Sequence, residues 1–384
     1  MTSLDASLVA RARTAAETLA PLADAIEKER GLPAEAVAAL VRAGTFKLFV
    51  PQAYGGIEAN LETALTMIEE VARADGSSGW CAMVGSTSGL MSIFLEPDVA
   101  REIFAAPDAI ACGVFAPMGR AVPADGGHRV SGRWPFASGC KHSTWRMGGA
   151  LVPGEAPSPG GAPNVRSMLF RAEDTRVVDT WDTSGLRGTG SHDFEASDVF
   201  VPASRSFSTL TDRPRYDGIL SALPFFGVLA ASVAAVTLGI ARGALDEFAA
   251  LATAKHPLGS KRSIAHRELV QLGVAQAEGN VRAARALLHE AAREATASAA
   301  RGAAPSLRER ALIRVAACHA TSASAAAVDR VYEAAGASSI YTKSPLQRQF
   351  RDIHVATQHV MVGPTAAILA GRVLLGVETD AATL

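Results

Sequence analysis

The sequence predicts an α+β fold in which an N-terminal helical domain, a central β-barrel-like domain and a C-terminal four-helix bundle follow one another along the chain. Apolar residues recur at helical spacing at both ends of the chain. The middle instead shows short runs of strand-forming residues between Gly, Pro and Asp clusters. Because 384 residues exceed one small core, we expect domains at residues 1–109, 110–215 and 216–384.

The first domain is predicted to consist of amphipathic helices. One helical pattern covers residues 7–44 and is broken at Gly31-Leu32-Pro33, where the proline suits the start of a new helix. Another pattern covers Leu61–Ala74. Asp75 is placed to cap a further helix of small residues that continues through Met91.

The middle domain is predicted to be a sheet. In the stretch from Gly132 to Trp145, aromatic residues alternate with small ones after a Gly126-Gly127 turn. The predicted strands cover residues 130–136, 145–152, 167–170, 176–178 and 197–201. No strand is followed by a Gly-x-Gly-x-x-Gly turn, which argues against a dinucleotide-binding Rossmann domain.

The last domain is predicted to be an antiparallel bundle of four long helices. The helical patterns cover Phe225–Ala254, His266–Ala300, Ser306–Ala334 and residues 345–375. Their many alanines leave more apolar surface than one bundle can bury. We therefore expect the chain to form a homo-oligomer, either a dimer or a tetramer.

Composition narrows the possible partners. A net charge of -1 gives no electrostatic basis for binding nucleic acid or an acidic membrane surface. The apolar run at residues 223–240 contains Pro, Gly, Ser and Thr, so we predict a buried helix rather than a membrane span. The four cysteines are widely spaced and the N-terminus carries no secretory pattern, which favours a cytoplasmic protein with reduced thiols and no metal site.

Several segments, in this order, resemble motifs of the acyl-CoA dehydrogenase family, and the resemblance covers nearly the whole chain. Trp134-Pro-Phe-Ala-Ser138 is similar to the strand end that meets the reactive edge of the flavin in that family. Residues 181–191 resemble its Gly-Leu-Arg-x-Ser segment, and Val199-Phe-Val201-Pro202 resembles the end of its β domain. Arg351-Asp352 resembles a pair near its last helix, so the resemblance implies the acyl-CoA dehydrogenase fold.

The branch of the family follows from one missing carboxylate. A typical dehydrogenase carries a catalytic glutamate nine residues after that arginine, whereas this chain has Val360, which cannot accept a proton. Residues 76–80, 131–139 and 351–359 resemble instead the flavin-dependent monooxygenases of two-component systems. That resemblance implies reduced FMN or FAD supplied by a separate flavin reductase, O2, and hydroxylation of a small aromatic or related electron-rich substrate through a flavin hydroperoxide.

The resemblance also implies roles for residues around the flavin. Ser138 is expected to donate a hydrogen bond at the reactive edge, with Trp134 and Phe136 as walls. Gly139 lacks side-chain bulk and permits close backbone approach. His359 lies next to the position of the missing base and is predicted to be the general base for the substrate. A strand-end serine bonded to its own backbone and a core histidine are the structural alternatives.

Two further groups of residues complete the predicted site. The first group, Arg187, Ser191 and Arg351, is expected to contact cofactor phosphate or a partner chain, and structural ion pairs are the alternative. The second group is expected to bind the substrate and consists of Trp80, Ser86 and His142, with His359.

Two other functions remain open at this point. One is a flavin dehydrogenase or self-reducing oxygenase that acts on an acyl-CoA thioester. The other is a non-catalytic scaffold that kept the fold for binding.

Overall fold

The computed structural model describes residues 4–153 and 164–384, and its first part is helical as predicted. The pattern at residues 7–44 forms three helices, because an extra break at Ala20–Leu22 precedes the predicted break at Gly31. The helices are α1 (Ala6–Leu19), α2 (Ala23–Glu29), α3 (Ala34–Ala43), α4 (Leu61–Ala74), α5 (Gly76–Gly89) and α6 (Pro97–Phe104).

Side-chain caps fix where α4 and α5 begin. The Asn60 side chain accepts a hydrogen bond from the Thr63 main-chain N–H at 2.8 Å. The Asp75 carboxylate accepts one from the Ser78 N–H at 2.7 Å, which confirms its predicted capping role. α5 therefore starts at a fixed place beneath the sheet, and this start sets which of its residues face the interior.

The central region folds into one seven-stranded sheet with the order β5-β6-β2-β1-β3-β4-β7. β1 and β2 form an antiparallel hairpin, whereas β1 and β3 run parallel. The strands are β1 (Ala111–Ala124), β2 (Gly127–Trp134), β3 (Trp145–Leu151), β4 (Val165–Arg171), β5 (Arg176–Val178), β6 (Asp193–Pro202) and β7 (Ser206–Phe207).

The prediction missed β1, the long strand at the centre of this sheet. Its register shifts between Val114 and Gly119, which interrupts the alternation that identifies strands in sequence. Pro117 and Pro123 also lie within it. At Gly119 a Cβ atom would lie 2.4 Å from the Trp134 ring, so this part of the strand needs glycine to cross that indole.

The C-terminal region is a bundle, but the predicted fourth helix is wrong as a single element. It consists of two shorter helices separated by the turn at residues 357–363, which contains His359. Gly363 and Pro364 explain the restart, because proline suits the first turn of a helix. The helices are α7 (Ile219–Ala222), α8 (Phe225–Ala254), α9 (Glu268–Ala300), α10 (Leu307–Ala335), α11 (Pro345–Ala356) and α12 (Pro364–Leu374).

The core has a large part that joins the helical regions and a smaller part inside the sheet. α8 is the central helix of the large part, and 78% of its most apolar window is buried. α8 and the segment Leu307–Ser338 are long and apolar enough to cross a membrane, a property that buried core helices share. Segments between Phe104 and Ala111 and between Phe207 and Ile219 contain the predicted domain boundaries, and three separate domains stay a prediction.

Candidate active site

A cavity of about 450 Å³ lies where α5, β1, α8 and the turn at residues 357–363 meet. Its size is within the range of about 300–1,000 Å³ that is usual for small-molecule sites. Its lining is mainly apolar, with hydroxyl groups on one wall. The lining residues are Trp80, Met83, Val84, Thr87, Ser88, Gly113, Val114, Phe115, Ala116, Phe136, Ser138, Trp181, Leu186, Thr189, Ser191, Leu229, Val233, Val355, Gln358, His359, Val360 and Met361.

The end of β2 turns sharply towards this cavity. Phe136 has a φ of +63°, which is strained for a residue with a side chain. Its ring is 69% exposed and meets the Trp181 ring edge-on, with 6.1 Å between the ring centroids. This backbone conformation turns Phe136 out of the sheet and brings Ser138 to the wall of the cavity. Phe136 and Trp181 together offer aromatic surface against which a flat ring can pack.

The hydroxyl wall is a short chain of hydrogen bonds. Oγ of Ser138 lies 2.7 Å from Oγ of Ser191, which lies 2.7 Å from Oγ1 of Thr189. The Thr189 hydroxyl donates to the Leu186 carbonyl at 2.7 Å, and a carbonyl can only accept. Since each hydroxyl has one proton, Ser191 donates to Thr189 and Ser138 donates to Ser191.

These hydrogen bonds change the role that is expected of Ser138. Its proton is used by Ser191, and one of its acceptor positions is filled by the Trp80 indole N–H at 3.1 Å. What remains is one acceptor position on Oγ. Ser138 therefore faces the cavity as an acceptor in this arrangement, and the expectation that it donates to the cofactor stays a prediction that requires its hydroxyl to turn away from Ser191.

Trp80 connects the hydroxyl wall to the histidine. Besides its bond to Ser138, its ring meets the His359 ring edge-on, with 5.4 Å between the centroids. The residues of α5 that line the cavity are Trp80, Met83, Val84, Thr87 and Ser88. Their spacing of three and four residues places them on one face of the helix. The cap at Asp75 thus determines which face of α5 lines the cavity.

The turn that carries His359 is held by a buried arginine. Arg314 of α10 is 2% exposed, and its guanidinium donates to the Met361 carbonyl at 2.9 Å. Burial, with a contribution from Arg314, lowers the pKa of His359 to about 4. Nδ1 of His359 accepts from the Met361 N–H at 3.3 Å, which places the proton of the neutral ring on Nε2. The general-base role expected of His359 requires the other tautomer and stays a prediction.

Beneath the hydroxyl wall lies a pair of buried carboxyl groups. The Asp352 carboxyl accepts the main-chain N–H of Leu186 at 2.5 Å, and the carbonyl of the same residue accepts the end of the hydroxyl chain. Burial, with Asp75 adding to it, raises the pKa of Asp352 to about 7. Leu186 has a φ of +48°, so this contact holds the carbonyl end of the hydroxyl chain in an otherwise unfavourable conformation.

Five residues predicted for the site do line the cavity: Trp80, Phe136, Ser138, Ser191 and His359. Trp134 does not, and its predicted role as a cofactor wall is wrong. It is fully buried inside the sheet, where it stacks on Phe194 with 4.8 Å between centroids. Its indole N–H donates to the Gly149 carbonyl. Residues two apart in a strand share one face, so the sequence predicted one environment for Trp134 and Phe136. The strand β2 ends at Trp134, however, and Phe136 lies beyond it and leaves the buried face.

Two predicted substrate residues also lie elsewhere. Ser86 is six residues after Trp80, about 120° around the helix from it, and its hydroxyl donates to the Ala82 carbonyl of its own helix. His142 packs against Phe46, with 6.1 Å between the ring centroids. Burial lowers the pKa of His142 to about 4, so it is an uncharged packing residue. Neither residue lines the cavity.

The remaining predicted cofactor residues do not line the cavity either. Gly139 has a φ of +78° and donates to the Thr189 carbonyl, so it closes the turn behind Ser138. Arg187 pairs with Asp182 at 3.0 Å, and Arg351 pairs with Glu27 at 2.6 Å. These ion pairs agree with the structural alternative, and contact with a cofactor phosphate or a partner chain stays a prediction.

Sequence reasoning missed Thr189, Trp181 and the α5 residues Met83 and Thr87. Thr189 and Trp181 lie inside the Trp181–Ser191 motif, but only the tertiary fold shows which of its positions face inwards. Helical spacing from Trp80 would have identified Met83 and Thr87. Among the residues that the structure describes, no group of His, Cys, Asp and Glu side chains is arranged to hold a metal ion.

The order of helices, sheet and bundle around this cavity defines a protein of acyl-CoA dehydrogenase fold. Residues 6–96 match the family model for the acyl-CoA dehydrogenase N-terminal domain, and residues 231–364 match the model for the C-terminal domain. The resemblance seen in the sequence motifs and the predicted fold class are therefore confirmed.

Relatives identify the branch. Indole-3-acetate monooxygenase of Pseudomonas putida is 30% identical over 352 residues, which cover 91% of this chain and 89% of that protein. The oxygenase component of an FADH2-dependent resorcinol hydroxylase from a Rhizobium species is 32% identical over 291 residues, covering 72% and 70%. The crystal structure of XiaF from a Streptomyces species, with FADH2 and glycerol, has 28% identity and a TM-score of 0.88, covering 97% of this chain and 96% of that one.

The chain belongs to the flavin-dependent monooxygenases of the acyl-CoA dehydrogenase superfamily. It is an enzyme that uses reduced flavin, FMN or FAD, together with O2. The predictions of an oxidoreductase and of its cofactors are confirmed.

Proposed function

We propose that this enzyme hydroxylates a small aromatic substrate bound in the cavity between Ser138 and His359. One observation carries the proposal. Trp80 contacts both residues, so an acceptor hydroxyl and a neutral imidazole share one apolar cavity. Among the described residues that line this cavity, none is Asp or Glu. The names of the relatives support an aromatic substrate, since indole-3-acetate and resorcinol both carry aromatic rings.

The cavity suits a flavin ring in its shape and polarity. Exposed Phe136 and the neighbouring Trp181 offer aromatic surface, and the buried hydroxyl wall offers an unused acceptor at Ser138. Reduced flavin, when bound, supplies the electrons with which O2 is activated, so that one oxygen atom enters the substrate and the other leaves as water.

The chain's own residues exclude water and orient the substrate. Val84, Val114, Leu229 and Val233 make the lining apolar, which limits the water that competes for reactive groups. His359 is uncharged at neutral pH because its pKa is about 4. With its proton on Nε2, it donates a hydrogen bond to the oxygen or ring nitrogen of the substrate, and this bond fixes which ring position is presented to the oxidant.

The alternative dehydrogenase activity needs a base that removes a proton beside a thioester. Val360, at the position of the usual glutamate, lines the cavity and is 69% exposed. The carboxyl groups of Asp75 and Asp352 belong to the layer behind Leu186 and are engaged by main-chain N–H groups. The geometry therefore favours oxygenation over dehydrogenation. The scaffold alternative is disfavoured by the organised polar groups of the cavity.

Three broader features belong to the same proposal. The relative that is the oxygenase component of a resorcinol hydroxylase supports a separate flavin reductase as the source of reduced flavin. Exposed leucines on the bundle, including Leu258, Leu269 and Leu272, support self-association into a dimer or tetramer. The cysteines Cys81, Cys112, Cys140 and Cys318 are free thiols, which supports a cytoplasmic location.

The test is a single-turnover reaction. The purified protein is mixed under anaerobic conditions with dithionite-reduced FMN or FAD and a panel of phenols and indoles, then with ¹⁸O2. We expect one product that carries a single ¹⁸O atom. A parallel sample receives oxidised flavin and an acyl-CoA thioester, and bleaching of the flavin there, without ¹⁸O in any aromatic product, would replace this proposal with the dehydrogenase.

A further inference from the structure

We infer that Ser88 forms a second polar subsite of the cavity, and that the substrate carries, beyond its reacting ring, an uncharged group that hydrogen-bonds to the Ser88 hydroxyl. This group belongs to the hydroxyl, ketone or amide class. The inference rests on the proposed function, because it takes the reacting ring to lie at His359. Ser88 is then the residue that determines which side chain on the ring is accepted.

The cavity extends along α5 from Trp80 to Ser88. Both residues line it, and the eight residues from one to the other correspond to about 12 Å of helix. The opposite wall on α8 advances in the same way. Gly76 at the start of α5 lies against Ile240, where an added Cβ would be 3.0 Å from the Ile240 side chain. Leu229, eleven residues before Ile240, lines the cavity together with Ser88, so this end lies well away from the end at Trp80.

Ser88 differs from the two hydroxyl residues that precede it on α5. The Ser86 hydroxyl donates to the Ala82 carbonyl at 2.5 Å, and the Thr87 hydroxyl donates to the Met83 carbonyl at 2.9 Å, as is common inside a helix. The Ser88 hydroxyl makes no hydrogen bond to any residue that the structure describes, although Ser88 is only 7% exposed and lines the cavity. A hydroxyl withdrawn from bulk water without a partner is unfavourable, so a ligand group that bonds to it gains affinity.

The surroundings of Ser88 disfavour a charged group. Among the described residues that line the cavity, none is Lys, Arg, Asp or Glu, and His359 is uncharged at neutral pH because burial lowers its pKa to about 4. The Ser88 end is apolar. Leu229 lies one helical turn after Phe225, whose ring meets the ring of Phe115, also in the lining, edge-on with 5.8 Å between the centroids. A carboxylate there would lose its water and gain no counter-charge.

The side chain on the ring is therefore polar and neutral. A serine hydroxyl both donates and accepts, so an alcohol, a ketone or an amide can each satisfy it. Indole-3-acetate, the compound in the name of one relative, instead ends in a carboxylate. We expect this enzyme to prefer an indole or phenol with a hydroxyethyl side chain over the same ring with an acetate side chain.

The experiment compares three side chains on one ring. The purified protein receives O2, reduced FMN or FAD regenerated by a flavin reductase, and one of three compounds: 3-(2-hydroxyethyl)indole, 3-ethylindole or indole-3-acetate. The corresponding 4-substituted phenols form a second series, and KM and kcat are measured from product formation. We expect the KM of the hydroxyethyl compound to be about fivefold lower than that of the ethyl compound. We expect its kcat/KM to exceed that of the carboxylate at least about 100-fold.

One substitution assigns the preference to Ser88. Ser88→Ala removes the hydroxyl and should bring the KM values of the ethyl and hydroxyethyl compounds to within about twofold of each other. Ser86→Ala is the matched control, because that hydroxyl is bonded within the same helix and Ser86 does not line the cavity. It should keep the fivefold ratio. General damage to the fold would raise both KM values together and leave their ratio unchanged.

Three results would overturn the inference and leave the proposed oxygenase standing. They are equal KM values of the wild-type protein for the ethyl and hydroxyethyl compounds, a preference for the carboxylates, and a KM ratio that Ser88→Ala does not change. Hydroxylation of no compound in either series would remove the proposed function and the inference with it.

Discussion

Single side chains decide the chemistry at the wall of this cavity, and Ser138 is the clearest case. Its hydroxyl is identified by sequence, but its role as an acceptor depends on Ser191, Thr189 and Trp80, which come from other parts of the chain. A residue that appears simple in a motif therefore takes its hydrogen-bonding character from three partners.

Replacing Ser138 with Ala should uncouple the reaction. The variant loses the hydroxyl that we propose orders the cofactor edge, so we expect H2O2 release to rise several-fold relative to product, as measured by peroxide and product assays on the same sample. Ser86→Ala is the control, because that hydroxyl is bonded to its own helix. An unchanged ratio of peroxide to product in Ser138→Ala would remove Ser138 from the mechanism.

His359 should act in its neutral form throughout the physiological pH range. Its pKa of about 4 predicts no loss of activity from His359 protonation between pH 8 and pH 5.5, whereas an ordinary histidine would titrate near 6.5. Replacing His359 with Ala removes the hydrogen bond proposed to orient the substrate and should lower the hydroxylation rate about 100-fold, as measured by product formation.

The control for this experiment is His354→Ala, at a partly exposed histidine that pairs with Asp329 at 2.7 Å. That variant should retain most activity. A titration of His359 near pH 6.5, followed by its imidazole NMR signals, would contradict the assignment of a buried neutral ring.

At the scale of elements, the cavity depends on the contacts made at Leu186 and on the cap of α5. Asp352 of α11 binds the Leu186 N–H, Thr189 binds its carbonyl, and Asp75 caps the neighbouring helix α5. Between α11 and α12, Arg314 donates to the Met361 carbonyl of the turn that contains His359. Loops and helix ends, rather than helix faces alone, position the polar groups.

Asp352 should make stability depend on pH. Burial raises its pKa from 3.8 to about 7, so the folded state holds its proton more tightly than the unfolded state does. The free energy of unfolding should therefore fall as pH rises from about 4 to about 7. Asp352→Asn retains an acceptor for Leu186 and cannot ionise. We expect it to stabilise the protein at pH 8 by about 2 kcal/mol, as measured by urea unfolding.

The effect should vanish at pH 4, where the wild-type carboxyl is protonated. Asp98→Asn is the control, at an aspartate side chain that is 95% exposed. Equal destabilisation of Asp352→Asn at pH 4 and pH 8 would contradict the raised pKa of Asp352, because the difference between the two proteins would then not depend on ionisation.

At the scale of the whole molecule, the bundle has more apolar surface than one chain covers. Leu269 and Leu272 are 84% and 55% exposed and share one face at the start of α9. We expect the double substitution Leu269→Glu with Leu272→Glu to shift the protein to a smaller species, with dissociation favoured at least about tenfold. Analytical ultracentrifugation measures this. Leu210→Glu, at a residue 55% exposed outside the bundle, is the control, and an unchanged mass in the double variant would place the interface elsewhere.

The sequence by itself determined the order of helical region, sheet and bundle, the cap at Asp75, and five residues of the cavity. The order of the regions and the cap are readable because helical spacing, capping and turn residues act over a few neighbouring positions, whereas the five cavity residues followed from the resemblance to the acyl-CoA dehydrogenase family. Only the tertiary structure decided that Trp134 fills the sheet while Phe136 faces the cavity, that Arg314 holds the turn that contains His359, and that Ser138 is an acceptor. Each of these outcomes depends on contacts between residues far apart in the chain, whose positions local sequence patterns do not specify.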